Sequence, residues 1–138
     1  MIVLDTNIVS QHSKPAPDAK VREWMNTHEE GELLITAITV AELRYGVAIM
    51  DDGRKKMVMA RNVDETLEQF AGVCLAFDGV AAEEYALIVA SRRAAGRPIS
   101  IHDAQIAAIA RSGGFTLATL NTKDFEGIDG LKLIDPAA

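Results

Sequence analysis

Met1-Ile2-Val3-Leu4-Asp5-Thr6-Asn7 opens the chain with an apolar run that stops on an acid inside a turn-prone triplet. A short apolar run bounded by turn signals reads as a buried strand. Open α/β sheets bind ligands in the crevice beyond the carboxyl ends of such strands, so Asp5 has the address of a functional group. A purely local explanation competes with this one. Asp5 or Thr6 would also serve as the N-cap of a helix starting near Asn7, because short polar side chains satisfy orphan amides there.

Outward from this strand the chain alternates short apolar runs with amphipathic stretches. A helix is predicted to residue 13, and Pro15 and Pro17 then interrupt the chain. A second helix over 17–30 puts Val21, Trp24 and Met25 on one face and is closed by Gly31. A buried strand over 33–36 leads to a helix starting at Thr39 that carries Val40, Leu43, Val47 and Met50 and stops at Asp51-Asp52-Gly53. Another helix over 54–70 precedes a strand over 75–77. An Ala-rich helix over 80–95 follows, with Tyr85, Ile88 and Val89 inward, and Gly96 and Pro98 end it. Ser100 starts the next helix, to residue 111, and strands are predicted over 115–118 and 131–134. Strands alternating with helices imply an α/β fold: a three-layer α/β/α arrangement around a central, mainly parallel sheet, as one domain spanning 1–138.

Composition narrows the function classes. A chain of 138 residues, 49% apolar and 25% charged, can close a hydrophobic core without staples. Its one cysteine, Cys74, lies between Val73 and Leu75 and reads as core filling, and a single thiol allows no intrachain disulfide. No basic segment precedes the first apolar stretch, which Asp5 cuts, so neither a secretory signal nor a membrane span is expected, and a cytoplasmic protein is. His12, His28 and His102 are too scattered for a structural zinc site, which leaves carboxylates to bind any metal. The net charge of −6 argues against holding nucleic acid by bulk electrostatics alone.

Two further acids share the position of Asp5. Glu42 lies three residues after Thr39 and Asp103 three after Ser100, so a capping box explains each one separately. Taken together, Asp5, Glu42 and Asp103 all fall at strand-to-helix junctions or equivalent helix starts, which a parallel sheet gathers along one edge. Three acids brought together repel, and hard oxygen donors suit Mg²⁺ or Mn²⁺. A fourth polar segment, with Thr119, Asn121 and Asp124, follows the strand over 115–118; alone, it reads as an Asx or ST turn entering a short helix.

Four segments carry a resemblance that runs almost end to end: Ile2-Val3-Leu4-Asp5-Thr6-Asn7, Thr39-Val40-Ala41-Glu42-Leu43-Arg44-Tyr45-Gly46, Ser100-Ile101-His102-Asp103-Ala104-Gln105-Ile106-Ala107-Ala108 and Thr119-Leu120-Asn121-Thr122-Lys123-Asp124-Phe125. In this order and at these separations they resemble the PIN-domain family, and within it the VapC-like toxin ribonucleases and their FitB-like branch. The resemblance implies phosphodiester cleavage that depends on Mg²⁺, with Mn²⁺ as a substitute, and leaves a 5′-phosphate and a 3′-hydroxyl. It carries Asp5, Glu42 and Asp103 over as the metal-binding acids, Glu42 ligating directly or through water, and Thr6 and Asn7 as residues bracing the first acid. Many relatives place an acid where this chain has Asn121, although the FitB-like branch often resembles the asparagine form, so the fourth ligand is open: either Asp124, three residues along, substitutes, or a single tightly held metal suffices and a second metal site is weak. The resemblance also implies a homodimer and a small DNA-binding antitoxin, through which alone the chain would reach operator DNA.

Arg92, Arg93 and Arg97, with Arg44 and Lys123, are candidate contacts to an RNA backbone, seats for an acidic partner, or solvated surface residues, as charge runs often are. His102 reads as a packed or exposed histidine. Two other function classes compete. One is a PIN-like binding subunit with little turnover, which the departure at Asn121 favours. The other is a phosphatase of the haloacid-dehalogenase kind, which needs an acid where Asn7 stands. Dinucleotide binding is weaker, because no glycine-rich turn follows the first strand.

Overall fold

The computed structural model describes the backbone of residues 1–138 and every side chain except that of residue 71. In chain order the elements are β1 (Ile2–Leu4), α1 (Thr6–Ser13), α2 (Ala19–Asn26), β2 (Leu33–Thr36), α3 (Ala37–Ala48), α4 (Arg54–Gln69), β3 (Cys74–Leu75), α5 (Gly79–Ala94), α6 (Ile101–Ser112), β4 (Thr116–Ala118) and β5 (Leu133–Ile134). Single 3₁₀ turns, Ala71–Val73 and Thr122–Asp124, precede β3 and follow β4. The strands form one sheet in the order β3-β2-β1-β4-β5, and every pairing is parallel.

Alternation along the strands divides the core. Val3, Leu34 and Leu117 face one side and pack with Ile88 of α5 and Ile106, Ala107 and Ala110 of α6. Leu4, Leu33, Ile35 and Ala118 face the other, against Ile8, Val9, Val21, Val63 and Leu67 from α1, α2 and α4 and Phe70 at the end of α4. A parallel sheet must be covered on both faces, and these two clusters are that cover. The small side chains of Ala104, Ala107, Ala108 and Ala110, all fully buried, let α6 lie close to the sheet. No helix among the described residues is long and apolar enough to cross a membrane.

Helix starts follow the capping chemistry. Asp5, Asp18, Thr36, Asp78 and Ser100 each accept a backbone N–H at the first turn of α1, α2, α3, α5 and α6. Some boundaries differ from the sequence reading. α2 is confined to Ala19–Asn26, because Asp18 caps Lys20 and Val21 and leaves Pro17 outside. α3 starts at Ala37, with the Thr36 hydroxyl accepting from the Thr39 amide, so Thr39 lies inside the helix and does not cap it. β3 and β5 shrink to two residues each at the sheet edges. Cys74 is exposed and not a core filler, because its strand is the outermost one and has a neighbour on one side only.

Ile106 is fully buried between α6 and the sheet. Ile106→Ala is expected to cost about 2–5 kcal/mol of stability, read as a lower urea midpoint at unchanged slope.

Candidate active site

From β1 the chain winds outward to β2 and β3, whereas β4 and β5 are added on the other flank of β1. The crevice therefore opens where β1 and β4 part, at the switch point that parallel sheets use for binding. The Asp5 amide donates to the Ala118 carbonyl at 2.8 Å, closing the ladder between the two strands. The Asp5 carboxylate is the first side chain beyond it.

Asp5 is almost fully buried, at 5% exposure, and both carboxylate oxygens are engaged. Oδ1 accepts from the Thr6 amide at 2.7 Å and Oδ2 from the Thr119 hydroxyl at 2.8 Å. The Thr119 oxygen in turn accepts from the Asn121 amide at 3.0 Å and from Asn7 Nδ2 at 3.4 Å. With both lone pairs occupied, its single proton is committed to Asp5. Asn7 Oδ1 accepts from the Leu120 amide at 3.3 Å, so Asn7 and Thr119 stitch the ends of β1 and β4 together.

Glu42 projects from α3 toward the same place. The Thr6 hydroxyl donates to Glu42 Oε1 at 2.8 Å and lies 2.9 Å from the hydroxyl of buried Thr39. Since Thr6 gives its one proton to Glu42, the Thr39 hydroxyl donates to Thr6, and a chain of hydroxyls runs from inside α3 to the acid. Because α3 starts at Ala37, the capping box does not account for Glu42. His102 Nδ1, at 3.6 Å from Glu42 Oε2, connects α3 to the start of α6.

Asp103 stands in the first turn of α6, where its amide donates to the Ser100 hydroxyl at 3.2 Å. Among the described residues its carboxylate returns no bond to the Ser100 amide, so only half of a capping box forms and the acid is left free. Burial pushes the Asp103 carboxyl above its usual value, and the charges of Asp124 and Glu42 push it further. Burial likewise raises Asp5 from its usual 3.8 to about 6, against the lowering effect of Thr119 and Thr6, with Asp103 and Glu42 adding repulsion. Asp5, Glu42, Asp103 and Asp124 thus share one electrostatic neighbourhood. Among the described residues no Lys or Arg pairs with any of them.

The other candidates separate. Asn121 is exposed and contributes its backbone amide to Thr119, while Asp124 is exposed on the 3₁₀ turn beside Asp103. Arg93 is exposed in the last turn of α5 and shares no hydrogen bond with the site among the described residues. Arg97 is half-exposed and points Nη2 at the Lys123 carbonyl, 3.5 Å away, and at Glu126 Oε2, 3.9 Å away. Arg44 pairs with Asp64, away from the acids. Arg92 is buried and spends its guanidinium on main-chain carbonyls, so it is not a substrate contact. From the sequence Thr39 reads only as a cap; its position one helical turn before Glu42 is the signal for its bracing role.

The donor set fits a hard divalent cation: carboxylate oxygens, partly buried, mutually repelling and not paired with a Lys or Arg among the described residues. Among the described residues no three His, Cys, Asp or Glu side chains stand together at ligating separation. The acids couple through their charges without closing into a cage. That openness suits Mg²⁺, which takes one or two carboxylates directly and keeps much of its water. A separate cavity of about 580 Å³, lined by His12, His28, Leu33, Gln69 and Phe70 among others, lies at the amino-terminal edge of the strands and contains none of these acids.

A switch-point crevice carrying these acids on these elements is that of a PIN domain, and the chain belongs to that family, whose pattern it matches over residues 2–131. It is similar to the VapC ribonuclease Y4jK of Sinorhizobium fredii, 40% identical over 99% of this chain and 97% of that one. It is also similar to the toxin FitB of Neisseria gonorrhoeae, 38% identical over 94% of each chain. Its fold superposes on a chain in the structure of FitAB bound to a DNA fragment with a TM-score of 0.90, at 36% identity, over 100% of this chain and 96% of that one.

Between pH 3.8 and about 6 the folded, metal-free chain keeps a proton on Asp5 that the unfolded chain has released. That contribution to stability is complete below the window and is lost as pH rises through it, an effect on the order of 3 kcal/mol. Urea unfolding in chelator from pH 4 to 7 is expected to show stability falling more steeply with pH in the wild type than in Asp5→Asn. Equal slopes would show that Asp5 titrates at its ordinary value.

Proposed function

We propose that the chain is a Mg²⁺-dependent endoribonuclease and the toxin of a toxin–antitoxin pair, with Mn²⁺ able to replace Mg²⁺. The observation that carries this reading is the charge coupling of Asp5 with Glu42 and Asp103, and of Asp103 with Asp124, without a Lys or Arg partner among the described residues. Asp5 and Asp103 hold the metal. Glu42, with Oε1 occupied by Thr6, acts through water, and Asp124 completes the rim. Bound there, Mg²⁺ supplies a Lewis acid that makes water nucleophilic near neutral pH and neutralises charge on the phosphoryl oxygens.

The chain's own residues position that chemistry. Thr119 and the Thr6 amide fix both oxygens of Asp5, and the start of α6 places Asp103 at the positive end of a helix dipole. Lys123 and Arg97, exposed on the Asp124 side of the crevice, are the cations available to an RNA backbone. Asn121 offers no charge, so one firmly held metal is the expected stoichiometry. Asn7 spends both ends of its side chain on Thr119 and Leu120, which removes it from the acid/base role that the phosphatase reading needs.

The relatives' names and the DNA-bound FitAB structure support an antitoxin partner that carries the contact with operator DNA. An acidic chain with net charge −6 needs such an intermediary. Tyr45 of α3, Ile49 just after it, and Met57 and Val58 of α4 are exposed apolar side chains next to Arg54, Lys55 and Arg61. An acidic amphipathic segment of the antitoxin complements that surface. Val80 and Leu87 of α5 are the corresponding exposed apolar positions for a homodimer.

Purified protein is expected to cleave RNA with Mg²⁺ and not with chelator, leaving 5′-phosphate ends. Asp5→Asn and Asp103→Asn should each lower the rate about 10²-fold or more, the scale of a metal's contribution, with folding retained. Wild-type protein that cleaves no RNA in saturating Mg²⁺ yet still assembles with its antitoxin on DNA would establish the binding-subunit reading instead.

A further inference from the structure

We infer that Arg92 is a positioning residue, a buried clamp that holds the loop bearing Asn121 and Asp124 against the turn leading into the Asp103 helix. The inference rests on the metal-pocket reading for its functional consequence and on geometry alone for the clamp.

Arg92 is only 6% exposed. Its Nε donates to the Arg97 carbonyl at 2.7 Å, and its Nη1 donates to the carbonyls of Asp124 at 3.0 Å and Glu126 at 3.1 Å. Among the described residues no carboxylate pairs with it. Removing a guanidinium from water is costly, and three carbonyl dipoles compensate it in place of a counter-ion. A site that needed only packing would take an apolar side chain. What the guanidinium adds is a rigid planar fork that reaches two separate main-chain segments at once, which the point charge of a lysine cannot reproduce.

Both jaws of the clamp are themselves ordered by backbone geometry. On one side α5 ends in a Schellman motif: Gly96 adopts φ 71°, the Arg97 amide donates to the Arg92 carbonyl at 2.9 Å, and the Gly96 amide donates to Arg93 at 3.1 Å. Arg92 therefore joins that turn through its carbonyl and its side chain together. The turn leads directly to Ser100, the cap of α6, and so to Asp103. On the other side Asp124 is the last residue of the 3₁₀ turn Thr122–Asp124, and Arg92 satisfies its terminal carbonyl. Phe125, 1% exposed, anchors the same loop in the core.

The two jaws thus present Asp103 and Asp124, acids whose charges repel, and the clamp opposes that repulsion. Arg97 adds an outer clasp at 3.5 Å to the Lys123 carbonyl, but it is half-exposed and longer. Arg92 never reaches the crevice; it acts through the loop it holds.

Hydrogen exchange of the metal-free protein tests the clamp, and calorimetric titration with Mn²⁺ tests its consequence. In Arg92→Gln the Asn121, Asp124 and Phe125 amides, which bond to Thr119, Asn121 and Thr122, are expected to exchange at least tenfold faster, while β1 and β4 amides stay protected. Mn²⁺ affinity is expected to fall at least tenfold, with partial recovery in Arg92→Lys; if Arg92→Gln does not fold, Arg92→Lys carries both measurements. Unchanged exchange in this loop, or faster exchange spread evenly over the chain, would overturn the inference. Failure of the wild type to bind Mn²⁺ would sink the metal pocket but leave the exchange result to decide the clamp.

Discussion

The hydrogen bond from the Thr119 hydroxyl to Asp5 is the contact on which the site depends. It crosses from the end of β4 to the end of β1, where the two strands stop pairing and the crevice begins. Thr119 is fully buried, and its remaining capacity is used by Asn7 and by the Asn121 amide. A buried hydroxyl with both lone pairs occupied has one direction left for its proton, so the orientation of the Asp5 carboxylate is built into the scaffold before any ligand arrives. The raised proton affinity of Asp5 shows that this bond, with the Thr6 amide, does not offset burial. The site stores an unfavourable charge whose natural relief is a cation.

Each of the other acids reaches that charge by a different element and with a different brace. Glu42 is steadied by the hydroxyls of Thr6 and Thr39, Asp103 by its place in the first turn of α6, and Asp124 by a loop clamped from below. Distributing the acids over four segments keeps any one segment from carrying the whole repulsion. It also explains how local capping and a common pocket coexist. Asp5 remains the N-cap of α1, and its capping bond fixes the same oxygen pair that faces the crevice.

Much of this was legible in the sequence because it rests on apolar runs bounded by clear caps and breakers. β2, α4, α5 and α6 fall within a residue or two of where apolar spacing and caps put them. The start of α3 was not readable, since Thr36 and Thr39 are equally good caps and only tertiary packing selects the first. Two-residue edge strands such as β3 and β5 carry too few positions for a period of two to show. The burial of Arg92 is hidden in the sequence for a different reason. Charged residues near a helix end are ordinarily solvated, and no local pattern reveals three carbonyls arriving from residues 97, 124 and 126.

Asn121 was the residue that most favoured a binding role without turnover, and its structural setting removes much of that weight. Its part in the crevice is played by the main chain: the Asn121 amide fills one lone pair of the Thr119 hydroxyl and thereby directs that hydroxyl's proton to Asp5. A backbone amide makes this bond whether the side chain is neutral or acidic. What the neutral side chain changes is the total negative charge in the crevice, which already includes Asp5, Glu42, Asp103 and Asp124 and adds to the burial that raises the proton affinity of Asp5 and Asp103. A further acid would deepen that repulsion, and only a second cation would compensate it. The asparagine therefore adds nothing to that repulsion and leaves the first acid's geometry intact.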